Sequence, residues 1–308
     1  MAAPPVLPDA VCVHCGKRFN SANLVYTMRA AVLHPAVAAA YVPLQRDAAA
    51  TDFLLACGGR SSTARYAQSV AASALRTSLS LTDANGIVGR GGMHCLSTAQ
   101  ALQLLRPGQA APEARGTLLD VGAGNGSVTA HLAPLFDRVF ATEVSQPMLR
   151  RLRAAGFAAL DTGDVSLEAL QAAALSAGVA TLPAAGFDCV SLLNVLDRCD
   201  APTSLLLKLR RLLAPDARLL LAVVLPFRPF VELGTQRRPP RESLGLSPSA
   251  SFEDSVNALW TRVLQPLGFR LHAVSRVPYV SDGDEKCPTY VLDDAVFVLS
   301  PDGGQADQ

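Results

Sequence analysis

Asp120, Gly122, Gly124 and Gly126 stand in the run Leu118-Leu119-Asp120-Val121-Gly122-Ala123-Gly124-Asn125-Gly126, a short apolar strand, a glycine-rich turn and a helix start. Glycines let the main chain turn sharply and approach a ligand closely, and the helix that follows presents unpaired N–H groups. Such a loop also arises for packing reasons, and dinucleotide dehydrogenases share it. Two features narrow the chemistry. Glu143 falls at the end of the next strand, where a carboxylate can accept both hydroxyls of a ribose. The loop spacing is GxGxG behind Asp120, unlike the GxGxxG that closes around a pyrophosphate. A carboxylate there would repel a pyrophosphate and suits a sulfonium with an amino-acid moiety, so the expected cofactor is S-adenosylmethionine.

A second polar group is Asn194-Val195-Leu196-Asp197-Arg198-Cys199-Asp200, which follows the apolar strand ending Val190–Leu193. In an open parallel sheet, ligands sit beyond the carboxyl ends of the strands, so Asn194 and Asp197 are candidates to meet cofactor and substrate. Asp200 reads as a cap for the helix near Pro202. Asp164, in Asp161-Thr162-Gly163-Asp164, either contacts the adenine or belongs to an ordinary capped turn. Arg90, flanked by Gly89, Gly91 and Gly92, either reaches the donor's carboxylate or is a surface arginine. His94, His131 and His272 are isolated and read as packing or surface residues. The Gln236–Arg241 arginines read as a solvated loop.

These residues need elements to hold them. The chain has 308 residues, 50% apolar and 17% charged, enough for one large α/β domain with an accessory N-terminal region. A net charge of +1 gives no general attraction to nucleic acid, and no nucleic-acid partner is expected. No apolar run reaches the ~20 residues needed to span a bilayer. Seven scattered cysteines suit a reducing, intracellular compartment, with the cytoplasm favoured. The close pair Cys12 and Cys15 lacks a second ligand pair at a finger-like spacing, so no metal site is expected.

From Thr117 the pattern alternates strand and helix, with strands at Thr117–Val121, Arg138–Thr142, Phe157–Leu160, Phe187–Leu193 and Arg218–Val224. Helices are expected at Ser61–Leu81, from Ser97 to Leu105, and at Gly126–Leu135, Gln146–Ala155, Ser166–Ala177, Ser204–Leu213 and Phe252–Leu264. Thr82–Gly86 reads as a turn and Pro226–Pro248 as a loop or lid. Two final strands, Phe269–Arg276 and Val291–Leu299, suggest an edge hairpin. The fold class is therefore α/β, a Rossmann-like, mostly parallel sheet with a C-terminal antiparallel hairpin and an N-terminal helical region. The expected divisions are an irregular or helical extension (1–60), a helical accessory segment (61–115), the main domain (116–300) and a disordered tail (301–308).

Several of these segments resemble one family. Leu119–Gly126 followed by Ala141-Thr142-Glu143, then Leu193–Asp200, Leu225–Glu232 and Tyr290–Leu299, are similar to the DREV methyltransferases, as is Thr82–Gly91. The resemblance spans roughly residues 75–300. It implies a class I methyltransferase that uses S-adenosylmethionine to methylate the pros nitrogen of histidine in His-x-His motifs of proteins. It places the cofactor on the glycine loop, Glu143 and Asn194, and the substrate imidazole near Asp197, Tyr279 and Tyr290. Departures are Thr289 where the family often has tyrosine, Asn125 where an aspartate is usual, and an Ala-rich insertion around Gln171–Pro183.

Methyl transfer from a sulfonium is an in-line displacement dominated by positioning and desolvation. A neutral histidine, with pKa near ~6.5, already offers a lone pair at physiological pH. The enzyme's task is tautomer control: a carboxylate such as Asp197 bonding Nε2–H leaves Nδ1 facing the methyl group and stabilises the imidazolium formed. Two other readings stay open, a small-molecule methyltransferase of the same fold and a non-catalytic cofactor-binding module.

Overall fold

Apolar strands separated by capped helices assemble into one eight-stranded sheet. The computed structural model describes residues 24–179 and 181–303, together with two short paired strands, β1 (Ala10–Val11) and β2 (Arg18–Phe19). The Cys12/Cys15 pair and residues 304–308 of the expected tail lie outside the described residues.

The N-terminal third contributes α1 (Pro35–Ala39), α2 (Ala48–Gly58), α3 (Ser62–Leu75) and α4 (Leu81–Val88), then the edge strand β3 (Met93–His94) and α5 (Thr98–Leu105). Asp47, Ser80 and Ser97 each accept the backbone N–H three residues on, and Ser97 with Gln100 completes a capping box. The reading of Thr82–Gly86 as a turn is corrected: these residues are the body of α4. Ser80 caps the helix, and Asp83 accepts hydrogen bonds from Ser80 Oγ at 2.9 Å and Ser145 Oγ at 2.6 Å. Those contacts outweigh the weak helix propensity of Asn85 and Gly86. The helix expected over Ser61–Leu81 accordingly stops at Leu75.

The alternation that follows is β4 (Thr117–Val121), α6 (Thr129–Leu132), β5 (Arg138–Glu143), α7 (Gln146–Ala154), β6 (Ala158–Asp161), α8 (Leu167–Ser176), β7 (Phe187–Leu193), α9 (Pro202–Leu212) and β8 (Leu213–Val224). A small hairpin, β9 (Val231–Leu233) and β10 (Gln236–Arg238), interrupts the segment read as a loop. Helix α10 (Phe252–Leu259) continues into a π-turn, Trp260–Leu264, and the chain ends in β11 (Phe269–Asp282) and β12 (Thr289–Pro301), both longer than expected.

The sheet order is β3-β11-β12-β8-β7-β4-β5-β6. Strands β4 to β8 pair in parallel, and β12 enters antiparallel between β8 and β11. Side-chain alternation divides the core between the two faces: Leu119, Leu221 and Phe297 join one buried cluster, and their neighbours Leu118, Leu220 and Val296 the other. Earlier residues are fastened to this sheet. Val42 N–H bonds Val274 O, Val274 N–H bonds Ala40 O, and Arg29 pairs with Glu253 on α10. Among the described residues, no helix is long and apolar enough to cross a membrane.

Candidate active site

The turn after β4 is shaped by backbone torsions that only glycine adopts cheaply. Gly122 has φ +72° and Gly124 φ +59°. A Cβ on Gly122 would lie 2.6 Å from Val195 Cγ2, whereas one on Gly124 would meet nothing within 4 Å. Gly122 is therefore closed against the protein, and Gly124 borders open space. Gly126, also at positive φ, begins the turn into α6.

Two carboxylates hold this loop. Asp120 is buried, and its oxygens accept from Ser191 Oγ and Thr129 Oγ1, each at 2.6 Å. Burial raises its pKa against those two hydroxyl bonds. Its carboxyl group ties β4 to β7 and α6. Glu143 accepts from Gly124 N at 2.9 Å, Val144 N at 2.7 Å and Ser145 N at 2.8 Å. It thereby fixes the loop and the start of α7, whose N-cap Ser145 also holds α4 through Asp83.

Beyond β7 the chain turns at Asn194, a non-glycine residue with φ +59°. Its N–H bonds Ala222 O at 2.9 Å, and its side-chain Nδ2 donates to Asp294 Oδ2 at 2.7 Å. Asp197 is only 2% exposed; Oδ2 pairs with the Arg198 guanidinium, and Oδ1 has no partner among the described residues. Burial pushes its pKa up to about 6, with Arg198 opposing.

Asp294 was not singled out from the sequence. It pairs in register with Val224, the last residue of β8, so it lies at the carboxyl edge of the parallel strands. It is 0% exposed, accepts from Asn194 and from Cys95 Sγ at 3.4 Å, and leaves Oδ1 unmet. Burial pushes its pKa up to about 8. The available signal was the doublet Asp293-Asp294 in an otherwise apolar strand, which must send one carboxylate to each face. Asp293 takes the other face's partner, Arg276.

Tyr279 belongs with this cluster. Val277 pairs with Asp294, Tyr279 with Leu292 and Ser281 with Tyr290, and directly paired residues project to the same face. Tyr279, Tyr290 and Asp294 therefore share one face of the hairpin. The Tyr279 hydroxyl contacts Met93 Sδ, and burial, followed by the negative charge of Asp294, raises its pKa. Tyr290 is 40% exposed and donates to Asp284 Oδ2 at 2.8 Å. Arg90 approaches the same carboxylate at 4.0 Å and bonds Ser69 Oγ and Gly283 O. Arg90 and Tyr290 thus converge on the hairpin tip. Asp164 caps its own turn through Ser166 and pairs with Lys208 at 2.7 Å.

Two sequence readings are corrected here. Asp200 does not cap α9, whose N-cap is Ala201 without a side-chain bond. Instead Asp200 pairs with Arg238 and Arg241, and its backbone carbonyl accepts from Arg241 and Glu242 N–H. The arginines stay largely exposed as read, but the loop is corrected: Arg237 and Arg238 lie in β10, and Arg238 and Arg241 pair with Asp200 beyond β7. Phe230 N–H bonds Asp197 O at 3.0 Å, and the Arg198 and Arg237 guanidiniums lie over its ring at 4.0 and 4.1 Å.

The sequence model of the DREV methyltransferases matches residues 25–301. The chain belongs to the DREV methyltransferase family. The match reaches back into the N-terminal helices, which the sequence motifs did not cover. This DREV chain is also 43% identical over 65 residues to a tRNA/tmRNA (uracil-C(5))-methyltransferase of Aromatoleum aromaticum, covering 21% of this chain and 17% of that protein's length. Among solved structures it is similar to a TehB-like SAM-dependent methyltransferase of Corynebacterium glutamicum (14% identity, 61% of this chain and 82% of that one, TM-score 0.36). It is likewise similar to the DhpI–SAH complex (15% identity, 61% and 77%, TM-score 0.37).

The fold is that of a class I methyltransferase, and the cofactor of this DREV protein is S-adenosylmethionine. The residues present fit that group. The main chain at Gly124 has room beside it, and three buried oxygens, Asn194 Oδ1, Asp197 Oδ1 and Asp294 Oδ1, have no partner among the described residues.

Proposed function

We propose that this DREV methyltransferase methylates the pros nitrogen of histidine in His-x-His motifs of protein substrates. The observation that carries this reading is Asp197: a buried carboxyl group beyond β7 with one oxygen unmet. An orphaned buried acceptor is costly unless a ligand donor meets it, and an imidazole Nε2–H is such a donor. S-adenosylmethionine supplies an electrophilic methyl group on a sulfonium. Asp197, by accepting Nε2–H, leaves the Nδ1 lone pair free to attack. The new N–C bond forms as the C–S bond breaks, and the carboxylate lies beside the imidazolium that results. Tyr279, kept a neutral phenol, walls the pocket. Tyr290, exposed at the rim, meets the peptide outside it.

The test is mass spectrometry of a synthetic His-Ala-His peptide incubated with the protein and S-adenosylmethionine. A methyl mass on the imidazole, lost in Asp197→Ala, supports the reading. No methylation despite calorimetric binding of the cofactor overturns the histidine substrate and leaves the family assignment intact.

A further inference from the structure

Asn194 Oδ1 and Asp197 Oδ1 are acceptors and Asp294 Oδ1 is the second oxygen of a carboxyl group; all three are buried, and none has a partner among the described residues. Asp197 has Arg198 beside it, but the hydrogen-bond donors to Asp294 are an amide and a thiol, neither of them cationic. A fully buried carboxyl group in such a setting favours the arrival of positive charge and N–H donors. The bond from Asn194 Nδ2 to Asp294 Oδ2 also decides which way the amide points. A carboxyl oxygen accepts the N–H, so the amide oxygen must face away from Asp294. The backbone of Asn194 is equally constrained, at φ +59° with its N–H on Ala222 O. None of the described residues uses the oxygen so oriented.

S-adenosylmethionine ends in an amino-acid moiety. Its carboxylate can only accept hydrogen bonds; its ammonium carries three N–H donors and a charge. Of these two groups, the ammonium alone matches an acceptor that lies beside a carboxyl group lacking a cation. We infer that Asp294 is a positioning residue for the cofactor: by taking the Asn194 amide N–H it turns Asn194 Oδ1 toward the ammonium of the methionine moiety. The inference rests on the reading of Asn194 as a cofactor contact. It adds a residue of the last strand, one hundred positions further on, to the site.

Calorimetry on the full chain tests this without a methyl acceptor. S-adenosylmethionine is compared with 5′-methylthioadenosine, which keeps the adenosine and the sulfur and lacks the ammonium and carboxylate. Asp294→Ala is expected to weaken S-adenosylmethionine at least tenfold and methylthioadenosine less than twofold. Asp294→Asn, whose amide oxygen can still accept the Asn194 N–H, is expected to recover most of the loss. Asn194→Leu with Asp294→Ala should bind no more weakly than Asn194→Leu alone, because Asp294 acts through Asn194. Should Asp294→Ala fold poorly, the near-isosteric Asp294→Leu serves in its place. Equal loss for both ligands, no loss for either, or additive losses in the double variant would overturn the inference. If Asn194→Leu itself binds S-adenosylmethionine like the wild type, the reading of Asn194 as a cofactor contact fails instead.

Discussion

At the scale of single residues, the acid side of the pH–rate profile carries the chemistry proposed for Asp197. The carboxylate is the stronger acceptor of Nε2–H and the only form that offsets the imidazolium charge, so the rate should rise as pH passes through about 6. A substrate histidine must also shed its proton, near pH ~6.5, and acts in the same sense. Wild-type kcat/KM on a His-Ala-His peptide should therefore climb with a slope approaching two. Asp197→Asn should show a slope of one and a rate lower by on the order of 10²-fold, with unchanged cofactor affinity. An unaltered profile would remove the tautomer role. The glycine loop offers a second contrast. Gly122→Ala adds a Cβ 2.6 Å from Val195 and should lower thermal stability, whereas Gly124→Ala meets no described residue within 4 Å. At Gly124 the cost of φ +59° is about 1 kcal/mol, so its larger effect should be on cofactor affinity, measured by calorimetry. The loop, Glu143, Asn194 and Asp197 were legible because each sits at a fixed offset from its own strand. Asp294 was not, because its importance comes from a pairing between residues one hundred positions apart.

At the scale of elements, periodicity located the strands well and understated how far the last ones run. Strands β11 and β12 continue past Arg276 and begin before Val291 because their pairing, not their apolar pattern, sustains them. Helix α4 was hidden for the opposite reason: Thr82–Gly86 looks like a turn until Ser80 caps it and Ser145 holds Asp83. The segment after Pro226 shows the same dependence on distant partners. Asp200 gathers Arg238, Arg241 and two backbone N–H groups, and its own carboxyl is held below the usual carboxylate range, first by Arg238. Asp200→Ala should release residues 231–242 while leaving the sheet intact. Hydrogen exchange is expected to rise at least tenfold in that segment and to stay unchanged in β7 and β8. Uniform protection would show that the remaining contacts, those of Phe230 and of Glu242 with Ser204 among them, hold the segment without Asp200.

At the scale of the whole molecule, the buried carboxyl groups link folding, pH and cofactor. Asp294 titrates at an ordinary 3.8 when unfolded and at about 8 in the folded chain, because burial disfavours its charge. The folded state therefore holds a proton that the unfolded state has lost over that interval. The stability Asp294 contributes is complete below about pH 4 and is lost as pH rises toward about 8, at no more than about 1.4 kcal/mol per pH unit. Thermal melts of the cofactor-free protein from pH 5 to 8 should show this decline, and Asp294→Asn should flatten it. Cofactor binding gives the converse. An ammonium brought near Asn194 and Asp294 favours the carboxylate, so binding at pH 7 should release a proton. Titrations in two buffers of different ionisation enthalpy would detect that release as a difference in apparent binding heat. In Asp294→Asn the difference should vanish, because an amide has no proton to lose. A difference that survives the substitution would assign the proton to another group.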